Sequence, residues 1–328
     1  MLKTRVTDLL GIEHPIIQGG MGLLANAGLA AAVSNAGALG VISSFGLTPQ
    51  ELRQEIRRTR ELTDRPFGVN IALLFGGAEQ EDLIKVSLEE NIPVFETSGR
   101  NPGPYIKLLK ERGARVIHKV PAVRFAQTAQ EADVDAVIIY GQGAGGYIGT
   151  DMVSSMILVP TAVDVLDIPV IAGGEIADAR GLVAATALGA HGVVMGTRFM
   201  LTQEAPIHPG AKQWLAEARE TDTVVVQESL GTPARVMANQ VAYQILGREA
   251  RYARREELAP FLSDGFKQVK ETGDPEGGAF YCGQAIGLIR DIPTVRELID
   301  SIMKEVGDVS RRLAVIGLPL EQAETGSC

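Results

Sequence analysis

One side chain stands where chemistry needs it. Lys119 ends the run Val116-Ile117-His118, and a glycine-rich stretch, Gly141-Gln142-Gly143-Ala144-Gly145-Gly146-Tyr147, follows the next apolar run. A lysine at a strand end can stabilise negative charge building on a bound ring. The other reading of Lys119 is an ion pair with a neighbouring carboxylate. Gln18 and Asn70 also close apolar runs. Burying such amides without partners is costly, so a polar small molecule is a natural partner for them.

Two glycine-bearing turns, Ala172-Gly173-Gly174 and Gly196-Thr197, follow further apolar runs. Glycine lets a backbone approach phosphate oxygens closely, and consecutive main-chain N–H groups can bind them. Gly141-x-Gly143-x-x-Gly146 matches the dinucleotide fingerprint. That fingerprint should follow the first strand of its unit and open a helix at once. Here it follows a sixth strand, and Tyr147-Ile148-Gly149-Thr150 starts no clean helix, so a flexible loop over a binding site is expected instead.

These residues need a scaffold. Strands are expected at Pro15-Gln18, Leu39-Ser43, Phe67-Ala72, Val94-Thr97, Val116-Val120, Ala136-Tyr140, Pro169-Ala172 and Gly192-Met195. They recur roughly every 20–30 residues, the length of one βα unit. Runs such as Ala136-Val137-Ile138-Ile139 are apolar on both faces, as in parallel sheets. Thr48-Pro49-Gln50-Glu51 opens a helix with Thr48 as cap, and Asp178 caps another. Eight units favour a closed (β/α)8 barrel over an open doubly wound sheet, which puts the site at the C-terminal strand ends. The expected division is a barrel over 1–202 and 276–328, with a small, mostly helical insert or cap over 203–275. The tail Glu321-Ser327 is expected to fray.

Composition narrows the function. The 328 residues carry 31 Lys+Arg against 40 Asp+Glu, a net charge of −9. An acidic chain is a poor match for nucleic acid or an anionic membrane. The uncharged stretch from Pro15 to Gln50 is broken by Gln18, Asn26, Ser34, Asn35, Ser43 and Ser44, so it reads as buried strand, helix and strand rather than a membrane span. Two cysteines, Cys282 and Cys328, give neither a disulfide framework nor a four-thiolate zinc site. The four histidines are scattered, and no metal is expected. No signal peptide is read at the N-terminus; a cytoplasmic protein, with a homodimer as the prior for assembly, is expected.

Five segments in order carry a family likeness: His14-Pro15-Ile16-Ile17-Gln18-Gly19-Gly20-Met21, Arg65-Pro66-Phe67-Gly68-Val69-Asn70, Ala144-Gly145-Gly146-Tyr147-Ile148-Gly149, Ile171-Ala172-Gly173-Gly174 and Met195-Gly196-Thr197-Arg198-Phe199. They resemble the nitronate monooxygenase family, which includes NAD(P)H:quinone reductases and the flavin-dependent enoyl-acyl-carrier-protein reductase II. His118-Lys119 and Pro206-Ile207-His208-Pro209 look closest to the quinone reductases. Leu2-Lys3-Thr4-Arg5 and Gly145-Gly146-x-Ile148-Gly149 look as much like the enoyl reductases.

The resemblance implies a barrel holding FMN non-covalently, with NAD(P)H as co-substrate. Gln18, Gly20, Met21, Asn70, Lys119, Ala144, Gly145, Ala172, Gly173, Gly174, Gly196, Thr197 and Gln284 would be the cofactor residues. Gly173, Gly174, Gly196 and Thr197 among them would take the phosphate, and Lys119 would sit near the ring's N1–C2 edge. One position departs. The family loop usually reads Ala-Gly-Gly-His-x-Gly, its histidine being the catalytic acid or base; here that position is Tyr147. A tyrosine ordinarily holds its proton at neutral pH, so it suits proton donation better than abstraction from a neutral nitroalkane. Tyr147 and Lys119 are thus the candidate catalytic residues of an FMN-dependent oxidoreductase that NAD(P)H reduces and a quinone or activated alkene reoxidises. The alternatives are oxidation of alkyl nitronates by dioxygen, and flavin binding without turnover.

Overall fold

The computed structural model describes residues 2–73, 78–252 and 254–314; the tail at Glu321-Ser327 and Cys328 lie outside them. A first helix, α1 (Arg5–Leu10), precedes β1 (Ile16–Gln18), α2 (Ala27–Asn35), β2 (Gly40–Ser43), α3 (Pro49–Leu62), β3 (Phe67–Leu73) and α4 (Ala78–Glu89). Next come β4 (Val94–Gly99), α5 (Gly103–Glu111), β5 (Arg115–Val120), α6 (Val123–Glu131), β6 (Ala136–Tyr140) and a two-residue strand, β7 (Gly146–Tyr147). Then α7 (Ser155–Val165), β8 (Val170–Gly173), α8 (Ala179–Ala187), β9 (Gly192–Met195) and α9 (Thr197–Met200) complete the barrel's strands. The remainder holds α10 (Pro209–Glu217), β10 (Thr223–Val226), β11 (Ala234–Met237), α11 (Gln240–Glu249), α12 (Arg255–Thr272), a 3-10 turn at Gln284–Leu288 and α13 (Val295–Ala314).

Eight parallel strands pair in the order β1-β9-β8-β6-β5-β4-β3-β2. The cylinder closes between β1 and β2, where Gln18 N–H donates to the Leu39 carbonyl and Leu39 N–H to that of Ile16. The next rung is made by a side chain: Gln18 Oε1 accepts the Val41 N–H at 3.2 Å. This is a (β/α)8 barrel, as the strand spacing leads one to expect. The expected caps are also in place, Thr48 accepting the Glu51 N–H and Asp178 those of Arg180 and Gly181.

Strand alternation sorts the core. Ile17, Leu39, Val41, Val94, Ile117, Ile138, Ile171 and Val194 fill the cylinder, with Val6 and Leu10 of α1 packed beneath. Ile16, Ile42, Val69, Phe95, Val116, Val137, Val170 and Val193 face the outer helices. Two residues beyond the inner layer, toward the C-terminal ends, the same parity places Gly19, Ser43, Asn70, Glu96, Lys119, Tyr140, Gly173 and Gly196. The barrel is therefore apolar through its body and polar or side-chain-free at its mouth.

The segment over 203–275 carries helices α10, α11 and α12 and also two strands. β10 and β11 form an antiparallel pair that adopts β7 as a third strand, with Ala234 opposite Tyr147 and Arg235 opposite Gly146. This sheet was not anticipated: Thr223-Val224-Val225-Val226 is a β-branched run, but it lies within a charged, helical-looking stretch.

Candidate active site at the barrel mouth

Glu96 organises one side of the mouth. It is 1% exposed, and its carboxylate accepts the Gly20 N–H at 3.0 Å, pairs with Lys119 Nζ at 2.9 Å and takes a longer contact from Asn70 Nδ2 at 3.4 Å. Gly20 has no room for a side chain: a Cβ there would lie 2.4 Å from Asn70 Cβ. Of the two readings of Lys119, its nearest partner is thus a carboxylate. The ion pair leaves its side chain 21% exposed, so the ammonium can serve a second anionic group. Glu96 went unread in the sequence, although it stands two residues beyond the inward-facing Val94.

The other side is built from the turns after β6, β8 and β9. The loop after β6 is tied into the fold at several points. Glu175 accepts the N–H groups of Gly143 and Ser155, each at 3.1 Å, and Ser155 Oγ bridges Gly141 N–H and the Gly173 carbonyl. Arg235 Nε donates to the Gln142 carbonyl at 2.9 Å, and β7 is paired to β11. The glycines are needed for packing: a Cβ at Gly143 would fall 2.4 Å from Glu175 Cγ, and one at Gly145 2.7 Å from Gly283 N. Gln284 returns here, its N–H donating to the Gly143 carbonyl. Thr197 Oγ1 accepts the Gly283 N–H at 3.0 Å. Ala144 lies against Gly174, and Met21 against Gly196.

Could these turns hold a phosphate-bearing group? Gly174 has φ +75, and Thr197 opens α9. Among the described residues, no acceptor outside the strand ladders takes the backbone N–H groups of Gly174, Gly196 and Thr197. Such donors at adjacent strand ends fit an anion there.

Two expected site residues, Gln18 and Ala172, and the neighbouring His118 lie away from the mouth. Gln18 faces outward, its amide engaged by Val41 N–H and the Gly19 carbonyl, so it fastens β1 to β2 and turns from the mouth. Ala172 also faces the outer helices, leaving only its backbone to contribute. His118 packs outward against Thr97 Oγ1 at 2.9 Å, and burial pushes its pKa down to about 4. Cys282 is fully buried, and desolvation raises its thiol to about 12, so it stays protonated.

Tyr147 sits at the rim, 42% exposed, beside Tyr281 with ring centroids 6.1 Å apart. Tyr281 was not singled out in the sequence. It lies in the return segment from the cap and bridges Val236 of β11.

The fold and its mouth define a (β/α)8 barrel enzyme with a polar small-molecule site. The nitronate monooxygenase family model matches residues 3–305, and the chain belongs to that family. It is an oxidoreductase. Among curated relatives, it is 33% identical to a (3aS,4S,5R,7aS)-5-hydroxy-7a-methyl-1-oxo-octahydro-1H-indene-4-carboxyl-CoA dehydrogenase of Rhodococcus jostii, over 96% of this chain and 98% of that protein. It is 31% identical to a probable nitronate monooxygenase of Staphylococcus saprophyticus, covering 95% and 99%. Among solved structures, FabK from Thermotoga maritima superposes with a TM-score of 0.92 at 42% identity, covering 97% and 100%. A nitroalkane oxidase from Streptomyces ansochromogenes does so with a TM-score of 0.82 at 27% identity, covering 94% and 99%. No helix among the described residues is long and apolar enough to cross a membrane.

Proposed function

We propose that the chain is an FMN-dependent oxidoreductase in which NAD(P)H reduces the flavin and an activated alkene, such as an enoyl thioester, or a quinone reoxidises it. The observation that carries this is the set of N–H donors at Gly174, Gly196 and Thr197, with no acceptor outside the ladders, at the strand ends of the mouth that Asn70, Lys119 and Met21 border. Those four turn residues, Gly173 included, would hold the phosphate; Gly20, Met21, Asn70 and Lys119 would border the ring. Ala144, Gly145 and Gln284 would close the site from the cap side. Bound flavin supplies hydride exchange between a nicotinamide and an acceptor and needs no protein base for it.

The residues of the chain do the rest. Hydride addition to an activated alkene leaves an anion that needs one proton, and Tyr147, exposed at the rim, can donate it. Its O–H bond breaks, a new C–H bond forms, and water returns the proton to Tyr147. The relative named as a carboxyl-CoA dehydrogenase supports a CoA thioester as a ligand of this site.

Anaerobic stopped-flow absorbance tests the proposal. NADH or NADPH should bleach the flavin well above the buffer rate, and an enoyl thioester or a quinone should restore it. Bleaching no faster than buffer overturns the proposal. Oxygen uptake with preformed alkyl nitronates, without nicotinamide turnover, would favour the nitronate-oxidising activity named for the staphylococcal relative.

A further inference from the structure

Tyr147 has a companion. Across the small sheet, Val226 stands opposite Ala234 and Ala234 opposite Tyr147, while Tyr281 bridges Val236 two residues along. Side chains two apart share a face, so Tyr147 and Tyr281 lie on one side of this sheet. Tyr281 is held from behind by Phe266, ring centroids 5.7 Å apart. Beyond its hydroxyl comes Gln227, at the end of β10. Gln227 is 1% exposed with φ +66, and neither atom of its amide reaches hydrogen-bonding geometry with any group among the described residues. A buried amide without partners is expensive and asks for a purpose.

We infer that Tyr281 is a positioning residue acting through Tyr147: it fixes the Tyr147 hydroxyl and donates a hydrogen bond to the phenolate left when Tyr147 gives up its proton, with Gln227 supporting it from behind. The two rings stand side by side, and burial first, with Tyr147 beside it, raises the Tyr281 pKa, so Tyr281 keeps its proton. With the Tyr281 proton committed to Tyr147, the unpartnered Gln227 Nε2–H would move onto the Tyr281 oxygen. Among the described residues, the titratable groups on the segments packed around this pair include Arg235 of β11, Cys282 beside Tyr281, Glu175 under the loop, Asp151 further along it and Glu249 beside Gln227. Arg235 is bound to Gln142 and Thr223, Glu175 to backbone N–H groups, Asp151 to Arg124 and Glu249 to the Gln227 N–H. Tyr281 is the aromatic neighbour of Tyr147.

The inference rests on the proposed proton donation by Tyr147, and its test separates the two. Phenolate formation is read by ultraviolet difference absorbance across pH, with Tyr147→Phe subtracted to isolate Tyr147; no turnover is needed. Tyr281→Phe removes one oxygen and keeps the ring packing. It should raise the Tyr147 midpoint by about one pH unit, a tenfold loss of ionisation. Gln227→Met should shift it the same way by less. In stopped flow, Tyr281→Phe should slow alkene-driven reoxidation about tenfold while leaving NAD(P)H bleaching unchanged. An unmoved midpoint in both variants overturns the positioning role. A shifted midpoint with an unchanged reoxidation rate, in Tyr147→Phe as well, keeps the coupling and overturns the proton donation.

Discussion

Glu96 on β4 and Lys119 on β5 meet at 2.9 Å on neighbouring strands, two residues apart in register and both pointing into the mouth. The pair is lopsided: the carboxylate is fully buried and the ammonium partly open. Removing the two partners should therefore differ in effect. Lys119→Met strands a buried carboxylate and should cost about 3–5 kcal/mol. Glu96→Gln leaves an ammonium that can turn to water, and should cost about 1–2 kcal/mol. Urea unfolding at neutral pH checks this, with the double variant expected to lose less than the sum. Equal losses would show that both charges are equally desolvated.

His118 makes stability depend on pH. Its folded pKa is depressed from 6.5 to about 4 by burial. The unfolded chain therefore binds the proton first as pH falls. The contribution is complete above about pH 6.5 and is lost progressively down to about pH 4, on the order of 3 kcal/mol in all. His118→Gln should flatten that part of the curve. Denaturant midpoints measured at half-unit steps of pH give the answer; an unchanged slope would assign the acid sensitivity elsewhere.

Gly174 combines φ +75 with a tight neighbour, its missing Cβ falling 3.1 Å from that of Ala144. Gly174→Ala should destabilise the fold by about 1–2 kcal/mol. It should also weaken FMN binding, measured by fluorescence quenching, because the N–H moves with the strained turn. FMN affinity that survives alongside the lost stability would take the phosphate away from this turn.

Tyr147→His restores the residue usual in the family at the rim. A histidine near its ordinary pKa can take a carbon-bound proton, so oxygen uptake with neutral nitroalkanes should rise at least about tenfold over the parent. No rise, with FMN still bound, would mean that the loop pinned by β11 presents the side chain elsewhere.

Much of the architecture was legible because buried parallel strands leave continuous apolar runs and their helices begin with ordinary caps. Lys119 and Asn70 were legible at the mouth as polar ends of those runs. Gln18 was misplaced by the same logic, since a polar strand end can also turn outward; only its parity against the inward Ile17 separates the cases. Glu96 offered that parity signal too, two positions after Val94, but looked like the ordinary polar end of a strand. The β7–β11 pairing and the Tyr147–Tyr281 contact join segments about 90 and 130 residues apart, and no local pattern encodes such a meeting.

The seam between β1 and β2 is fastened partly by one glutamine amide instead of a full ladder of main-chain bonds. A barrel stave held this way is the natural place for thermal breathing to begin. Because Gly19, Gly20 and Met21 directly follow that stave, whatever loosens the join also loosens that wall of the mouth, so occupancy of the mouth and integrity of the cylinder should rise and fall together.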